Sequence, residues 1–291
     1  GILSRREHLG DIAELENFHI PEIDLVIVDL YPFEATVASG ADEQSIIEKI
    51  DIGGISLIRA AAKNFKDVLI IPSKEQFGFL LNVLENNNGE TSLEERHLMA
   101  THAFATSSHY DSAIFNHFNK QHHLDLFRQS SSESKVLRYG ENPHQKGIFY
   151  GNFESLFDRL NGKEISYNNL LDIDASISLL AEFSEPTVVI VKHNNACGLA
   201  SRSTIEQAWD DALAGDPVSA FGGVICINRP VSTELAEKMN SLFFEVLIAP
   251  EFDQKALELL SAKKNRIILK SKNIRFEEMQ FRTVLNGVIA Q

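Results

Sequence analysis

A run of four β-branched residues in the second half of the chain constrains the fold more than any other feature. Residues 188–191, Val-Val-Ile-Val, have the composition of a strand buried on both faces, and the run ends at Lys192 and His193. Open α/β sheets place their ligand crevice just beyond the carboxyl ends of strands. The sequence therefore predicts a buried strand of an α/β fold, with Lys192 and His193 as the first candidates for chemistry.

Lysine and histidine at adjacent positions suit proton transfer at a carbonyl group. A neutral histidine accepts a proton near pH 7, and a lysine stabilises negative charge that develops on a carbonyl oxygen. The alternative is a histidine whose hydrogen bonds are satisfied at the sheet edge, next to a solvated lysine. The residues alone leave both interpretations open.

Strand and helix patterns alternate along the 291 residues, which predicts an α/β fold in two domains. In the first half we expect strands at 23–30 and 68–71, a helix at 55–64, and a long helix that Ser92 and Glu95 open as a capping box and that runs towards residue 115. In the second half we expect helices at 172–183 and 235–239, a helix with Trp209 capped by Ser203 and Glu206, and strands at 224–227, 246–249 and 267–269. The serine-rich segment 128–134 predicts a solvated connection, so we place the domains at 1–128 and 135–291.

Composition excludes several classes of protein. The net charge of −14 argues against a nucleic-acid-binding surface, which needs clustered Lys and Arg. Two cysteines, Cys197 and Cys226, cannot build a disulfide framework, and no apolar stretch of about 18 residues predicts a membrane span. We therefore expect a cytoplasmic protein without nucleic-acid or membrane partners. Three histidines, at 117, 122 and 123, are interpreted as a solvated face and not as a metal site.

Asp51, Gly53 and Gly54 precede the first predicted helix. Paired glycines let a backbone approach a ligand, and free amides at a helix start can receive a phosphate or an oxyanion. The alternative is an ordinary helix start in which Asp51 balances the helix dipole. Lys63 has an equally simple interpretation as a cation near the helix end, and Tyr31 as a packing residue at a strand end.

Two polar segments of the second domain are also candidates for binding. Residues 138–145, Arg-Tyr-Gly-Glu-Asn-Pro-His-Gln, combine a cation, amides and turn formers, although a capped turn between domains explains them equally well. The segment from Ser166 to Asn169 could cap a helix, or its adjacent carboxamides could bind a carboxamide or a purine-like ligand.

Taken together, these segments resemble the bifunctional family of purine biosynthesis in which a phosphoribosyl-aminoimidazole-carboxamide formyltransferase is fused to an inosine monophosphate cyclohydrolase. The resemblance covers essentially the whole chain and rests on motifs that occur in order, at residues 29–33, 50–54, 59–64, 137–145, 192–198, 216–223 and 263–265.

The resemblance implies a methylglyoxal-synthase-like first domain for the cyclohydrolase, followed by a cytidine-deaminase-like domain for formyl transfer, in a homodimer. Tyr31, Asp51 and Lys63 fall on cyclohydrolase positions, where Asp51 and Lys63 would exchange the protons of ring closure. Gly53 and Gly54 would hold the oxyanion. The resemblance also places Asp29 at a purine contact, where many relatives carry asparagine.

On the transferase side, the resemblance places Arg138 and Tyr139 at the nucleotide and Asn169 near its carboxamide. Lys192 and His193 fall at formyl transfer, with formyl-tetrahydrofolate as cosubstrate. His193 would take a proton from the amine, and Lys192 would assist the folate nitrogen. The Pro-Cys-x-x-Cys and His-x-Glu signature of zinc deaminases is missing, so we expect no catalytic zinc and disfavour a zinc nucleobase deaminase.

The match to the family is incomplete at both ends. A glycine-rich phosphate loop and an Arg-Val-Lys-Thr segment, expected upstream, do not occur in the sequence, and Gln291 falls about midway through the transferase. We therefore expect a fragment with little or no transferase turnover of its own. A non-catalytic nucleotide-binding or assembly module with the same fold is the alternative from another class.

Overall fold

The computed structural model describes residues 1–274 and 279–291. The chain forms two compact units, Gly1–Ser132 and Glu133–Gln291, and the division falls inside the serine-rich segment. This segment is not free of contacts, because the Ser130 hydroxyl lies 2.8 Å from Nδ1 of His109, whose Nε2 lies 2.8 Å from the Glu34 carboxylate.

The first unit is mainly helical around a two-stranded parallel sheet. Its elements are α1 Leu9–Asn17, β1 Leu25–Ile27, α2 Phe33–Ala38, α3 Glu43–Ile47, α4 Gly53–Lys63, β2 Leu69–Ile71, α5 Phe77–Asn86 and α6 Leu93–His122. Its largest buried apolar cluster joins β2, α4 and α6, with Ile58, Ile70 and Met99 among its members.

The helix and strand predictions for the first unit hold with two changes of length. The Ser92 and Glu95 capping box is confirmed, but α6 continues to His122 because its buried positions, from Met99 to Tyr110, extend far along it. The strand predicted at 23–30 shrinks to three residues, since only 25–27 pair with β2, and Ile27 is half exposed.

The second unit is built on one mixed six-stranded sheet. Its elements are β3 Ser134–Val136, β4 Ile148–Tyr150, β5 Phe157–Asn161, α7 Tyr167–Leu180, β6 Thr187–Lys192, β7 Asn195–Ser201, α8 Ile205–Gly215, β8 Val224–Ile227, α9 Thr233–Met239, β9 Val246–Ala249, α10 Gln254–Ser261, β10 Ile267–Ser271, β11 Phe281–Val284 and β12 Gly287–Ala290. The strand order is β5-β10-β9-β8-β6-β7, and the hairpins β3-β4 and β11-β12 stand apart from it.

Alternating side chains of the sheet supply two cores. Val188 and Ile190 of β6 pack with α8, α9 and α10 on one face, and Val189 and Val191 pack with α7 on the other. Trp209, the only tryptophan in the sequence, is fully buried in the first of these cores. The predicted run 188–191 is thus a strand buried on both faces, as expected.

The direction of β6 corrects the argument that placed a crevice beyond it. β8, β9 and β10 are parallel to one another, but β6 pairs antiparallel with β8, with Val188 opposite Ile227 and Val191 opposite Val224. The carboxyl end of β6 therefore lies at the amino ends of the parallel strands. The rule for open parallel sheets does not apply there.

Two helix boundaries also differ from the prediction. Helix α7 begins at Tyr167, five residues earlier than expected, because Ser166 and Asn169 form a capping box. The cap of α8 is Thr204 and not Ser203, since the Thr204 hydroxyl accepts the Gln207 amide. Within the described ranges, no helix combines the length and hydropathy that crossing a membrane requires.

Candidate functional site

The feature at the end of β6 is a tight hairpin. His193 and Asn194 form the whole connection between Lys192 and Asn195, which face each other across β6 and β7. Both turn residues have positive φ, 55° and 61°, as a two-residue type I′ turn requires. The turn projects the exposed His193 at the tip of the hairpin that the buried strand β6 forms with the outer strand β7.

His193 lines an open cavity of about 380 Å³ at the amino end of α7. Its lining residues are mostly amides and carboxylates: Glu141, Asn142, Asn168, Leu171, Asp172, His193 and Asn194. None of these side chains is a lysine or an arginine, so the cavity offers hydrogen-bond acceptors and amides rather than positive charge. It therefore suits the amine or carboxamide end of a ligand better than a phosphate.

Lys192 does not line this cavity. Lys192 lies on the same face of β6 as Val188 and Ile190, the face that packs against α8. Its ammonium donates to the Phe221 carbonyl at 2.7 Å. Successive residues of a strand point to opposite faces, and this separates the lysine from the histidine. The structure thus places His193, and not Lys192, in the lining of this cavity, and a shared role of the two residues stays a prediction.

The loop that Lys192 contacts is held in shape by its own first residue. The Asp216 carboxylate accepts the Ser219 hydroxyl at 2.6 Å and the Ser219 amide at 3.0 Å. These hydrogen bonds, with a smaller contribution from Lys192, lower the pKa of the Asp216 carboxyl. Burial raises the pKa of the neighbouring Cys197 thiol. Lys192 thus lies near a carboxyl group whose ionised form is favoured and a thiol whose neutral form is favoured.

Arg138 and Tyr139 lie next to the first turn of α7. The Tyr167 amide donates to the Tyr139 carbonyl at 3.4 Å, and the exposed Arg138 guanidinium lies 5.5 Å from the Tyr139 ring centroid. Asn168 Nδ2 donates to the Glu141 carbonyl at 3.1 Å. The two polar segments singled out in the sequence are therefore neighbours in the structure.

Asn169 has a different position from the one expected of a ligand contact. Its Oδ1 accepts the Ser166 amide at 3.2 Å and the Ser166 hydroxyl at 3.0 Å, which makes it part of the α7 capping box. The neighbouring Asn168 lines the cavity. Of the two adjacent carboxamides, the structure brings Asn168 to His193.

Asp51 in the first unit is engaged at the start of α4. Its Oδ1 accepts the Gly54 amide at 2.6 Å, and its own amide donates to the Tyr110 hydroxyl at 2.7 Å. That hydroxyl in turn donates to the Lys49 carbonyl at 2.7 Å. The Gly54 amide is therefore occupied, and the simple interpretation of Asp51 as a helix-start residue describes the geometry.

The remaining cyclohydrolase candidates are dispersed within one chain. Lys63 is the last residue of α4, so about 15 Å of helix axis separates it from Gly53, and Asp51 lies just before the opposite end of the helix. Tyr31 is exposed after β1, with the Lys49 ammonium 5.5 Å from its ring centroid. Asp29 is exposed two residues before it, and Gly53 opens α4 with nothing close to its Cβ position.

Asp51→Ala is expected to destabilise the first unit by about 1 kcal/mol, because the Gly54 amide loses its acceptor. Asp51→Asn keeps an acceptor for this amide, so we expect it to lower the stability of the unit by only a few tenths of the loss in Asp51→Ala. Hydrogen exchange at the Gly54 amide measures the effect, with faster exchange expected in the alanine variant alone. Equal exchange in both variants would contradict the capping role.

The described residues, 1–274 and 279–291, contain no group of three or more His, Cys, Asp or Glu side chains arranged to hold a metal ion. One of the three grouped histidines corrects the interpretation of a solvated face. His117 packs edge-on against Phe33 at 5.7 Å, and its Nδ1 is buried without a hydrogen-bond partner. His122 and His123 lie at the exposed end of α6.

Asn168, Asp172 and Asn194 were not predicted individually as residues that line a cavity. Asn168 and Asp172 are four positions apart, a spacing that places them on the same face of a helix. The spacing becomes informative when Ser166 is the cap of a helix that contains both residues. Asn194 carried no comparable signal, because only the pairing of β6 with β7 shows that it lies in a turn.

The chain aligns over its full length with two proteins named bifunctional purine biosynthesis protein PurH. The one from Bacteroides thetaiotaomicron is 61% identical over 291 residues, which cover 57% of its length. The one from Persephonella marina is 41% identical over 306 aligned positions, which cover 59% of its length. The chain thus spans less than two thirds of these relatives.

The crystal structure of ForH is 31% identical and matches 40% of this chain and 61% of its own, with a TM-score of 0.33. Residues 61–291 match the family described as AICARFT/IMPCHase bienzyme. These residues include the whole second unit, with the hairpin and its cavity, and the first unit from the end of α4 onward, with β2, α5 and α6. On the strength of this match, which covers well over half of its length, the chain belongs to the AICARFT/IMPCHase bienzyme family.

Proposed function

We propose that the chain is part of a bifunctional enzyme of de novo purine biosynthesis. Its two reactions are formyl transfer from formyl-tetrahydrofolate to the aminoimidazole carboxamide ribonucleotide, and cyclisation of the product to inosine monophosphate. The names of the matched PurH relatives, as bifunctional purine biosynthesis proteins, support this proposal.

One observation carries the proposal: His193 shares a cavity with Asn142 and Asn168 inside the matched region. Amide side chains can both donate to and accept from a carboxamide, and the imidazole can accept a proton from a neighbouring amine. The cavity lining carries two carboxylates and no cation, so the phosphate must be bound outside it. Arg138, with Tyr139 beneath its guanidinium, is the cation that we assign to the phosphate.

The proposed transfer step moves one formyl group between two nitrogens. The substrate amine attacks the formyl carbon, and His193 accepts the proton that the amine loses. The bond between the formyl carbon and the folate nitrogen then breaks, and that nitrogen takes up a proton. Lys192 is assigned to the opposite side of β6, where its ammonium holds the Phe221 carbonyl and the 216–223 loop.

The finer family features are part of the same proposal. The second unit would be the first half of a cytidine-deaminase-like transferase and would work without catalytic zinc. The first unit would be the incomplete methylglyoxal-synthase-like cyclohydrolase, with Tyr31, Asp51, Lys63 and Asp29 at its site. Since Asp51 and Lys63 lie at opposite ends of α4, they would act on different atoms of the substrate or from different subunits of a homodimer. The compartment we propose is the cytoplasm.

The test is isothermal titration calorimetry, which measures the affinity of the purified chain for the aminoimidazole carboxamide ribonucleotide. Asn168→Ala and His193→Ala are each expected to weaken binding about 10-fold, because each removes a hydrogen bond in the cavity. Asn273→Ala, at an exposed asparagine outside the cavity, is the matched control and should leave the affinity unchanged. Equal affinity in all four proteins would contradict the cavity assignment.

A formyltransferase assay on the same samples tests the enzyme directly. Ribonucleotide binding without turnover is expected both of the non-catalytic module and of a fragment of the enzyme, so only turnover decides between them. Turnover that disappears in His193→Ala supports the enzyme. A chain that neither binds the ribonucleotide nor turns over contradicts both.

A further inference from the structure

The turn that carries His193 is held in an unfavourable backbone conformation. Residues other than glycine rarely adopt positive φ, and two-residue hairpins with this geometry usually contain an Asn-Gly or Gly-Gly pair. Here the turn is His193-Asn194, with φ values of 55° and 61°. Such a conformation persists only where its surroundings hold it in place.

Two side chains hold this turn from outside its own backbone. The Asp172 Oδ1 accepts the Asn194 amide at 2.7 Å, and Asn195 Nδ2 donates to the His193 carbonyl at 2.8 Å. Asn195 belongs to the hairpin itself, whereas Asp172 belongs to α7. The neighbouring residue Ile173 is buried in the core that α7 shares with the sheet. Asp172 therefore connects the turn to a rigid element.

We propose that Asp172 is a positioning residue for His193. The hydrogen bond to Asn194 fixes both turn residues, and this keeps the imidazole at the cavity that Asp172 also lines. The inference deepens the proposed function, since it depends on His193 acting in that cavity. The carboxylate acts through the turn and needs no contact with the substrate.

A role in the turn is distinguishable from a role of the negative charge. Asp172→Asn keeps an oxygen acceptor for the Asn194 amide and removes the charge. Asp172→Leu keeps similar volume and removes the acceptor. Asp174→Leu, at an exposed aspartate two residues further along α7, is the matched control.

The primary measurement is hydrogen exchange of the Asn194 amide by NMR, together with the imidazole cross-peak of His193, which His193→Gln assigns. In Asp172→Leu we expect Asn194 to exchange about 10-fold faster and the His193 cross-peak to move or broaden. In Asp172→Asn we expect exchange within about threefold of the original and an unmoved cross-peak. Asp174→Leu should match the original protein.

Two results would overturn the proposal: unchanged Asn194 exchange and an unchanged His193 cross-peak in Asp172→Leu, or identical losses in Asp172→Leu and Asp172→Asn. The fluorescence transition of Trp209 reports whether each variant folds. Asp172→Ala replaces the leucine variant if that one does not fold. A general loss of stability would lower this transition without moving the His193 cross-peak under folding conditions.

Titration with the ribonucleotide separates failure of this inference from failure of the proposed function. If the original chain binds, Asp172→Leu should bind about as weakly as His193→Ala, and Asp172→Asn should restore most of the affinity. If the original chain does not bind, the proposed function fails, and the exchange and cross-peak measurements still decide whether Asp172 positions the turn.

Discussion

Arg266→Met is expected to destabilise the second unit by about 3–5 kcal/mol, because it leaves several buried oxygens without a donor. The guanidinium donates to Asn240 Oδ1 at 3.0 Å and to the carbonyls of Leu260 and Leu242 at 3.3 and 3.4 Å. It also stacks 4.0 Å from the centroid of the Phe244 ring. Arg266 is only 3% exposed, so water cannot replace these contacts.

Among the described residues, no carboxylate pairs with Arg266, and two of its partners lie at helix ends. The Leu260 carbonyl belongs to the last turn of α10, where unpaired carbonyls carry partial negative charge, and Asn240, at the carboxyl end of α9, accepts through its side chain. Burial lowers the pKa of the guanidinium, but an arginine stays protonated at neutral pH. The cation is therefore retained inside the fold as a donor for both helices.

Urea unfolding followed by Trp209 fluorescence measures this prediction, because the only tryptophan lies in the second unit. Arg202→Met is the matched control. Arg202 is about half exposed in its ion pair with Asp211, and the loss of a surface pair is expected to cost less than about 1 kcal/mol. If the two variants unfold at the same urea concentration, the structural role assigned to Arg266 is wrong.

Gly198→Ala is the second substitution with a large expected effect, a loss of about 3 kcal/mol from the second unit. A Cβ at this position would lie 2.1 Å from the Ala212 carbonyl oxygen and 3.0 Å from its carbon. Both atoms belong to the backbone of α8, so relief requires the helix to move away from β7. Ala212 is itself buried in the core that contains Trp209.

The same unfolding experiment tests Gly198→Ala, with Gly287→Ala as its control. Gly287 is also in a strand, but its Cβ would meet only the Val284 carbonyl oxygen, at 4.0 Å. We expect a lower urea midpoint and weaker ribonucleotide binding for Gly198→Ala, because β7 forms half of the hairpin that carries His193. A midpoint equal to that of Gly287→Ala would show that α8 can move without cost.

Elements with a strong local signal could be predicted from the sequence. The run 188–191 forms a strand because four consecutive β-branched residues fit a position buried on both faces, and α6 begins at a capping box that sequence alone identifies. Strand β7, with the sequence Asn-Ala-Cys-Gly-Leu-Ala-Ser, has no such signal. It is a strand only because it pairs with β6.

The sequence indicated which segments carry the candidate site, but not which of their side chains lie around one cavity. The segments around Arg138, Asn168 and His193 were all singled out, and the structure places Asn168 and His193 around one cavity. The crevice argument failed because the direction of β6 in a mixed sheet cannot be read from its composition. Asp172 was missed because its role is a hydrogen bond across 22 residues of chain, to a turn that contains no glycine.

The irregular pairing of β7 bears on how copies of the sheet can meet. β7 is an outer strand of the six, and no residue of β6 lies opposite Cys197 in the register, because Ile190 faces Gly198 and Val191 faces Ala196. A bulge of this kind interrupts the row of outward amides and carbonyls that an incoming strand would need. The bulge in β7 thus also protects this edge strand from pairing with a strand of another molecule.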